Sequence, residues 1–230
     1  MFDFIRKDLL WSAWDAGHGK ELGGGHYHLK TAQDLGVYQS LRDLSGQTIA
    51  EIGGGDSRIL RRISRNNECF NIEKFEGGDG GPAEEIVIPN VKNIKVFLGE
   101  NSDLLPKEKF DVVFSVSVIE HIPDGQLQSF FDDGLRILKH GGLWLHAIDM
   151  YIPNEPNEVQ TSRYEKYRKW IDDQRVSPVA EVFRGPLRFS CDIASNPDQT
   201  MYNWGTTAPA LINLRKRSQS VSILLAGRKK

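Results

Sequence analysis

The chain has 230 residues, 39% of them hydrophobic and 26% charged, with a formal net charge of −2. That length suits one large domain or a domain with a cap, and the near-neutral charge excludes a global field that would recruit nucleic acid. No apolar run approaches the ~18 residues a membrane span needs, so the expectation is a soluble, cytoplasmic chain with no membrane partner. The start, MFDFIRKDLLWSAW, carries acids in its first turns and no small-residue cleavage site, unlike a secretory leader. Cys69 and Cys191 form no spacing motif and read as reduced thiols.

Residues 1–46 precede the first core strand and read as an N-terminal helical cap. Phe2, Ile5, Leu9 and Leu10 have helical spacing, as do Leu35, Tyr38, Leu41 and Leu44 after Thr31 as N-cap. Between them lies GHGKELGGGHYH, Gly17–His28, which reads as a solvated loop or as a lid bringing Tyr27 to a ligand. His18, His26 and His28 lack carboxylate or cysteine partners at ligand spacing, so no metal is expected.

Thr48–Leu60, TIAEIGGGDSRIL, has the grammar of a buried strand, a tight glycine turn and a helix start, which brings a ligand against bare backbone amides. Arg58 stands where a dinucleotide fingerprint needs glycine or alanine, and Asp56 would repel a pyrophosphate. Glu51 and Asp56 suit a ligand with an ammonium or sulfonium group. A second strand, Cys69–Phe75, ends at Glu73, which in an open α/β sheet lies beside the first turn and can accept both hydrogen bonds of a ribose diol. GGDGGP, Gly77–Pro82, is too glycine-rich for a helix. Ile94–Leu98 reads as a third strand, followed by Glu100 and Asn101, which can meet an adenine amino group. FDVVFSVSV, Phe110–Val118, is a fourth strand covered on both faces. Leu127–Leu138 is a helix, and Leu143–Ile148 a fifth strand closed by Asp149.

Beyond 150 the pattern loosens. A helix is expected over Val159–Ile171, strands near Val179–Phe183 and Leu187–Phe189, a helix end at Leu211–Arg217, a strand at Ser220–Ala226 and a solvated basic tail from Gly227. Tyr164, Tyr167 and Trp170 sit at helical spacing and read as packing.

The ordered set EIGGGDS, NIEKF, FLGEN, FDVVFSVSVIEHIPD and LRILKHGGLWLHAID resembles class I S-adenosylmethionine-dependent methyltransferases of the small-molecule type. The resemblance covers about Thr48–Asp149 and the last strand. It implies a Rossmann-like α/β fold: an open twisted sheet of seven strands, the last antiparallel, with helices on both faces, over residues 47–230. It implies S-adenosylmethionine held by Glu51, Gly53, Gly54 and Gly55 at its methionine part, by Glu73 with Lys74 at the ribose, and by Phe75, Glu100 or Asn101 at the adenine. Ser115 and Val118 would border the donor at the end of the fourth strand. Ser57 and GGDGGP depart from the usual pattern.

Methyl transfer from a sulfonium is an in-line displacement that needs an aligned and often deprotonated acceptor. His121 and Asp149 are the catalytic candidates, with residues 151–210 as the segment covering a small-molecule acceptor. Their polar and aromatic mix suits a hydroxylated, sugar-like acceptor. N-methylation of an amine, or a non-catalytic module that only binds the donor, are the alternatives. A nucleic-acid substrate fits poorly, since SVSVIEHIPD stands where an Asn/Asp-Pro-Pro-aromatic motif would be. A homo-oligomer is compatible with the sequence.

Overall fold

A computed structural model describes residues 1–22, 29–78, 81–153, 157–185, 187 and 218–230. Among these residues eight strands form one sheet in the order β1-β8-β6-β5-β2-β3-β4, with β7 beside β8. The parallel centre comprises β2 (Thr48–Ile52), β3 (Glu68–Ile72), β4 (Val91–Ile94), β5 (Phe110–Val116) and β6 (Leu138–Pro153). β8 (Ser218–Lys229) runs antiparallel to β6, and the short strands β1 (Phe2–Phe4) and β7 (Val176–Pro178) run antiparallel to β8. The long strands match the expected architecture. The additional strand arises because the edge beyond β8 is filled by β1 and β7 from distant parts of the chain.

The chain leaves β2 in one direction through β3 and β4, then returns to lay β5 and β6 on the other side. The carboxyl ends of β2 and β5 therefore sit side by side, with Ile52 opposite Ser115, and open a crevice at the reversal of strand order. The near-continuous apolar runs of these strands reflect burial on both faces. One face packs Ala50, Phe70, Val113 and Trp144 against α5 (Leu127–Ile137) and α6 (Glu158–Asp172). The other packs Ile49, Val112, Phe114 and Leu145 against α1 (Lys7–Asp15), α3 (Leu29–Leu41) and α4 (Leu60–Ile63).

Several boundaries differ from the sequence reading. Phe2–Phe4 is an edge strand registered against Ile223–Leu225, and the helix begins only at Lys7. Three residues are too few for period two to be told from helical spacing. Thr31 is buried inside α3 rather than capping it. Residues 18–21 form a short helix, α2, with His18 buried and bonded to Arg42, so this part of the expected loop is packed. Tyr27, His26 and His28 lie outside the described residues. The third strand is Val91–Ile94, earlier than Ile94–Leu98. β6 does not stop at Asp149. Its ladder with β8 continues through Asp149–Ser222 to Pro153–Ser218 after β5 has ended at the Val116–Ala147 pair, so Asp149 is carried past the rim of β5. Of the segment near Val179–Phe183, only Val182 makes a bridge, to Phe2, and the local strand is β7. Gly227–Lys229 completes β8 instead of forming a solvated tail. Phe189, Cys191 and Leu211–Arg217 lie outside the described residues.

Candidate active site

The glycine turn follows β2 directly. Gly53 has φ +63°, and a Cβ there would stand 2.7 Å from Val118 Cγ2. A Cβ on Gly54 would stand 2.8 Å from Asn71 Oδ1 and 3.0 Å from Glu51 Cδ. The turn thus needs bare backbone for close packing on two sides. Asn71, fully buried on β3, braces it: its Oδ1 accepts the Gly54 N–H at 3.1 Å and its Nδ2 donates to the Gly55 carbonyl at 3.4 Å.

Around this turn lies a cavity of about 490 Å³, lined by Gly53, Gly54, Gly55, Asp56, Glu73, Ser117, Val118, His121 and Lys30 of α3, with Gly78, Gly81 and Pro82 of the glycine-rich segment. Glu73 sits just past β3, and its Oε1 accepts the Lys74 N–H at 3.0 Å. Asp56 is met by Arg61, whose Nε donates at 2.9 Å. A recess of about 100 Å³ opens beside it, walled by Glu51, Lys30, Asp34, Ser57 and Arg58. Glu51 is buried and its Oε2 has no partner among the described residues. Burial, followed by the nearby Asp34 charge, pushes its carboxyl up to about 8 against the pull of a Ser57 hydrogen bond and the Lys30 charge.

Not every expected residue reaches this cavity. Ser115 is fully buried, with Oγ 2.7 Å from His146 Nδ1, because alternate residues of β5 face the core. Ser117, two residues on, stands at the rim in its place. Lys74, Phe75, Glu100 and Asn101 do not line it. Lys74 Nζ lies 3.8 Å from the exposed Glu100 and 5.3 Å from the Phe97 ring centroid. Phe75 is buried, and the Asn101 N–H is turned to Asp133 Oδ2 at 3.3 Å.

A second cavity, of about 300 Å³, is lined by Glu120, His121, Asp149, Tyr151, Gln160, Arg163 and Tyr167. His121 lines both cavities, so the two adjoin there. His121 Nε2 lies 3.9 Å from Glu120 Oε1, and Asp149 accepts from the Gln33 amide. Glu120 is pushed up to about 8, first by burial and then by the Asp149 charge. Arg163 of α6 donates to Asp124 at 2.9 Å and to the carbonyls of Glu120 and Ile122, fixing the loop after β5. The buried Tyr167 hydroxyl has no partner among the described residues, and burial pushes it well above the usual phenol range.

Sequence reading missed Lys30, Gln33, Asn71, Glu120, Arg163 and Tyr167 as site residues. Glu120 alone carried a local signal, since it adjoins His121 in the quoted motif. The others arrive from elements far apart in the chain. Among the described residues no group of three or more His, Cys, Asp and Glu side chains converges as a metal site.

A family model described as a methyltransferase domain matches residues 50–145. The chain is 29% identical over 113 residues to the ubiquinone biosynthesis O-methyltransferase of Paramagnetospirillum magneticum, a match covering 46% of this chain and 42% of that protein. The match therefore spans less than half the length of that curated relative. Its fold is similar to geranyl diphosphate C-methyltransferase from Streptomyces coelicolor, solved with S-adenosyl-L-homocysteine, at a TM-score of 0.53 and 14% identity, covering 85% of this chain and 76% of that one. It is also similar to phosphoethanolamine N-methyltransferase 2 of Haemonchus contortus, solved with S-adenosyl-L-methionine, at a TM-score of 0.51 and 16% identity, covering 85% of this chain and 52% of that one. With its glycine turn at the reversal of strand order, the chain is similar to the methyltransferase domain family across residues 50–145, which take in the central strands.

Proposed function

We propose that the chain transfers a methyl group from S-adenosylmethionine to a small polar acceptor, with a hydroxyl of a sugar-like metabolite as the nucleophile. The observation that carries this reading is the pair of adjoining cavities that meet at His121, one built on bare glycine backbone and the other lined by carboxylates. The residues present fit the donor. Glu51 Oε2, buried and without a partner among the described residues, is a polar atom that the donor can satisfy, and the glycine turn keeps its backbone bare at the cavity. Glu73 would hold the ribose hydroxyls, Gly53–Gly55 the methionine part, Val118 the wall of the crevice, and Lys30 the donor's carboxylate. Tyr27 keeps its expected place near the donor as part of this proposal. When bound, the donor supplies an activated methyl group, so the chain has to align and desolvate the acceptor and remove its proton.

His121 and Asp149 border the place where the acceptor's nucleophile meets that methyl group. The polar lining by Tyr151, Gln160 and Tyr167 supports a hydroxylated guest. The two carboxylates favour a second reading, an amine acceptor, since a cation would relieve their mutual repulsion. No helix among the described residues is long and apolar enough to cross a membrane. A small-molecule acceptor met in the cytoplasm, with no nucleic acid involved, completes the proposal.

Methyl-labelled S-adenosylmethionine incubated with panels of sugars, phenols and amines tests this reading. Label on a hydroxyl compound is the expected result, and label only on amines selects the second reading. Donor binding with no label in any panel would leave a binding module and overturn transfer.

A further inference from the structure

Two polar atoms in the wall of the second cavity lack partners among the described residues. One is Glu120 Oε2, on a side chain 13% exposed. The other is the hydroxyl of Tyr167, a residue 1% exposed. Buried polar atoms are nearly always satisfied, so an orphan donor and acceptor lining one cavity point to a guest with its own oxygen or nitrogen.

Beside them, a hydrogen-bond chain fixes where protons sit. Ser222 Oγ donates to the Ile148 carbonyl at 3.1 Å, so toward Gln33 it can only accept. The Gln33 atom facing it at 2.9 Å is therefore the amide nitrogen, and the amide oxygen accepts from Ser117 Oγ at 3.0 Å. The same nitrogen donates to Asp149 Oδ1. That oxygen is an acceptor, and an amide donor aimed at it favours the ionised form of Asp149. Glu120, packed against Asp149, accepts backbone N–H bonds from Glu120 and Asp149. Burial, and then the Asp149 charge, raise the Glu120 carboxyl and favour its protonated form. Among the described residues, the other charged or titratable groups around this pair are Lys30 of α3, half-exposed His121, Tyr151 of β6, and Arg163 and Tyr167 of α6, with Asp124 bound to Arg163.

We propose that Glu120 and Asp149 hold a single proton between them, with Gln33 keeping Asp149 ionised, and that this one-proton pair, rather than His121, receives the acceptor's proton. This rests on the methyltransferase reading above. As the acceptor's O–H bond breaks, its proton passes to the single negative charge of the pair. Its oxygen takes the methyl carbon, and the carbon–sulfur electron pair returns to sulfur as a neutral thioether. Glu120, which carries the proton beforehand, donates a hydrogen bond into the cavity, and His121 passes the excess proton to solvent. Gln33 acts as a positioning residue through Asp149.

Infrared titration of the protonated-carboxyl region tests the pair. Wild type minus E120Q isolates Glu120, and E51Q removes the other buried carboxyl that titrates near 8. A band that disappears as pH passes about 8, is absent from E120Q and persists at lower pH in D149N is expected. Q33L should add a second band that D149N removes, an effect a merely structural glutamine would not produce. A band that survives E120Q and vanishes in D149N overturns the assignment. With the fastest acceptor from the panels, D149N should lose roughly a hundredfold in rate with donor affinity kept, and H121A only a fewfold. The opposite order overturns the proton path. Calorimetry with S-adenosylhomocysteine on the same samples separates the two claims. Binding without the Glu120 band sinks the pair alone, and the band without binding sinks the donor reading alone.

Discussion

Gly53 and Gly54 show how residues set this site. A methyl group on Gly53 would meet Val118 at 2.7 Å from a φ of +63°, and one on Gly54 would meet Asn71 and Glu51. Gly53→Ala should therefore cost about 1–3 kcal/mol of stability and at least about tenfold in donor affinity, read by thermal denaturation and calorimetry. Glu51 supplies a pH test. Its folded carboxyl is raised from 4.5 to about 8, so its contribution is fully present below 4.5 and is lost as pH rises through 8. Glu51→Gln should lose less stability than wild type between these limits, measured as urea midpoints against pH. The placement of Glu51, the glycines and Glu73 around one crevice was legible because strand, turn and strand end lie close in sequence. Glu120 and Gln33 were not, because their roles depend on a proton and an amide fixed by β6 and β8, far along the chain. Ser115 was misplaced by one strand alternation, which put it against His146.

Elements carry the next level. α3 buries Gln33 and Asp34, and exposes Lys30 at the rim, so one helix lines the first cavity and bonds Asp149 in the wall of the second. Its apolar periodicity announced a helix, yet its buried polar residues gave no sign of what they would meet. α5 holds the loop after β4 through Asp133, which is fully buried and accepts from Gly99 N–H at 2.7 Å and Arg136 Nε at 2.7 Å. Asp133→Ala leaves Arg136 Nε and the Gly99 and Asn101 N–H groups without their acceptor and should cost about 3 kcal/mol, read from chemical denaturation, whereas Asp133→Asn should cost less. β6 was read too short because its ladder with β8 outlasts its ladder with β5, a long-range pairing that local patterning does not contain.

At the scale of the whole molecule, the order of strands decides where chemistry happens. The reversal between β2 and β5 opens the donor cavity, and the overhang of β6 past β5 carries Asp149 into the neighbouring one. The parallel centre of the sheet was legible from strand–helix alternation. Its outer edge was not, since β1 and β7 join β8 from opposite ends of the chain. β8 is held between β6 on one side and β1 and β7 on the other. Ile223→Ala, at a fully buried position of β8, should thus destabilise the chain by roughly 2–4 kcal/mol, read by chemical denaturation. The account's central claim is that the glycine turn and Glu73 hold a sulfonium nucleoside. Calorimetry of wild type, Gly53→Ala and Glu73→Ala with S-adenosylmethionine and S-adenosylhomocysteine tests it most directly. Saturable binding of both by wild type, weakened at least about tenfold in each variant, is the predicted result. No binding of either ligand, or binding that both variants leave unchanged, would contradict it.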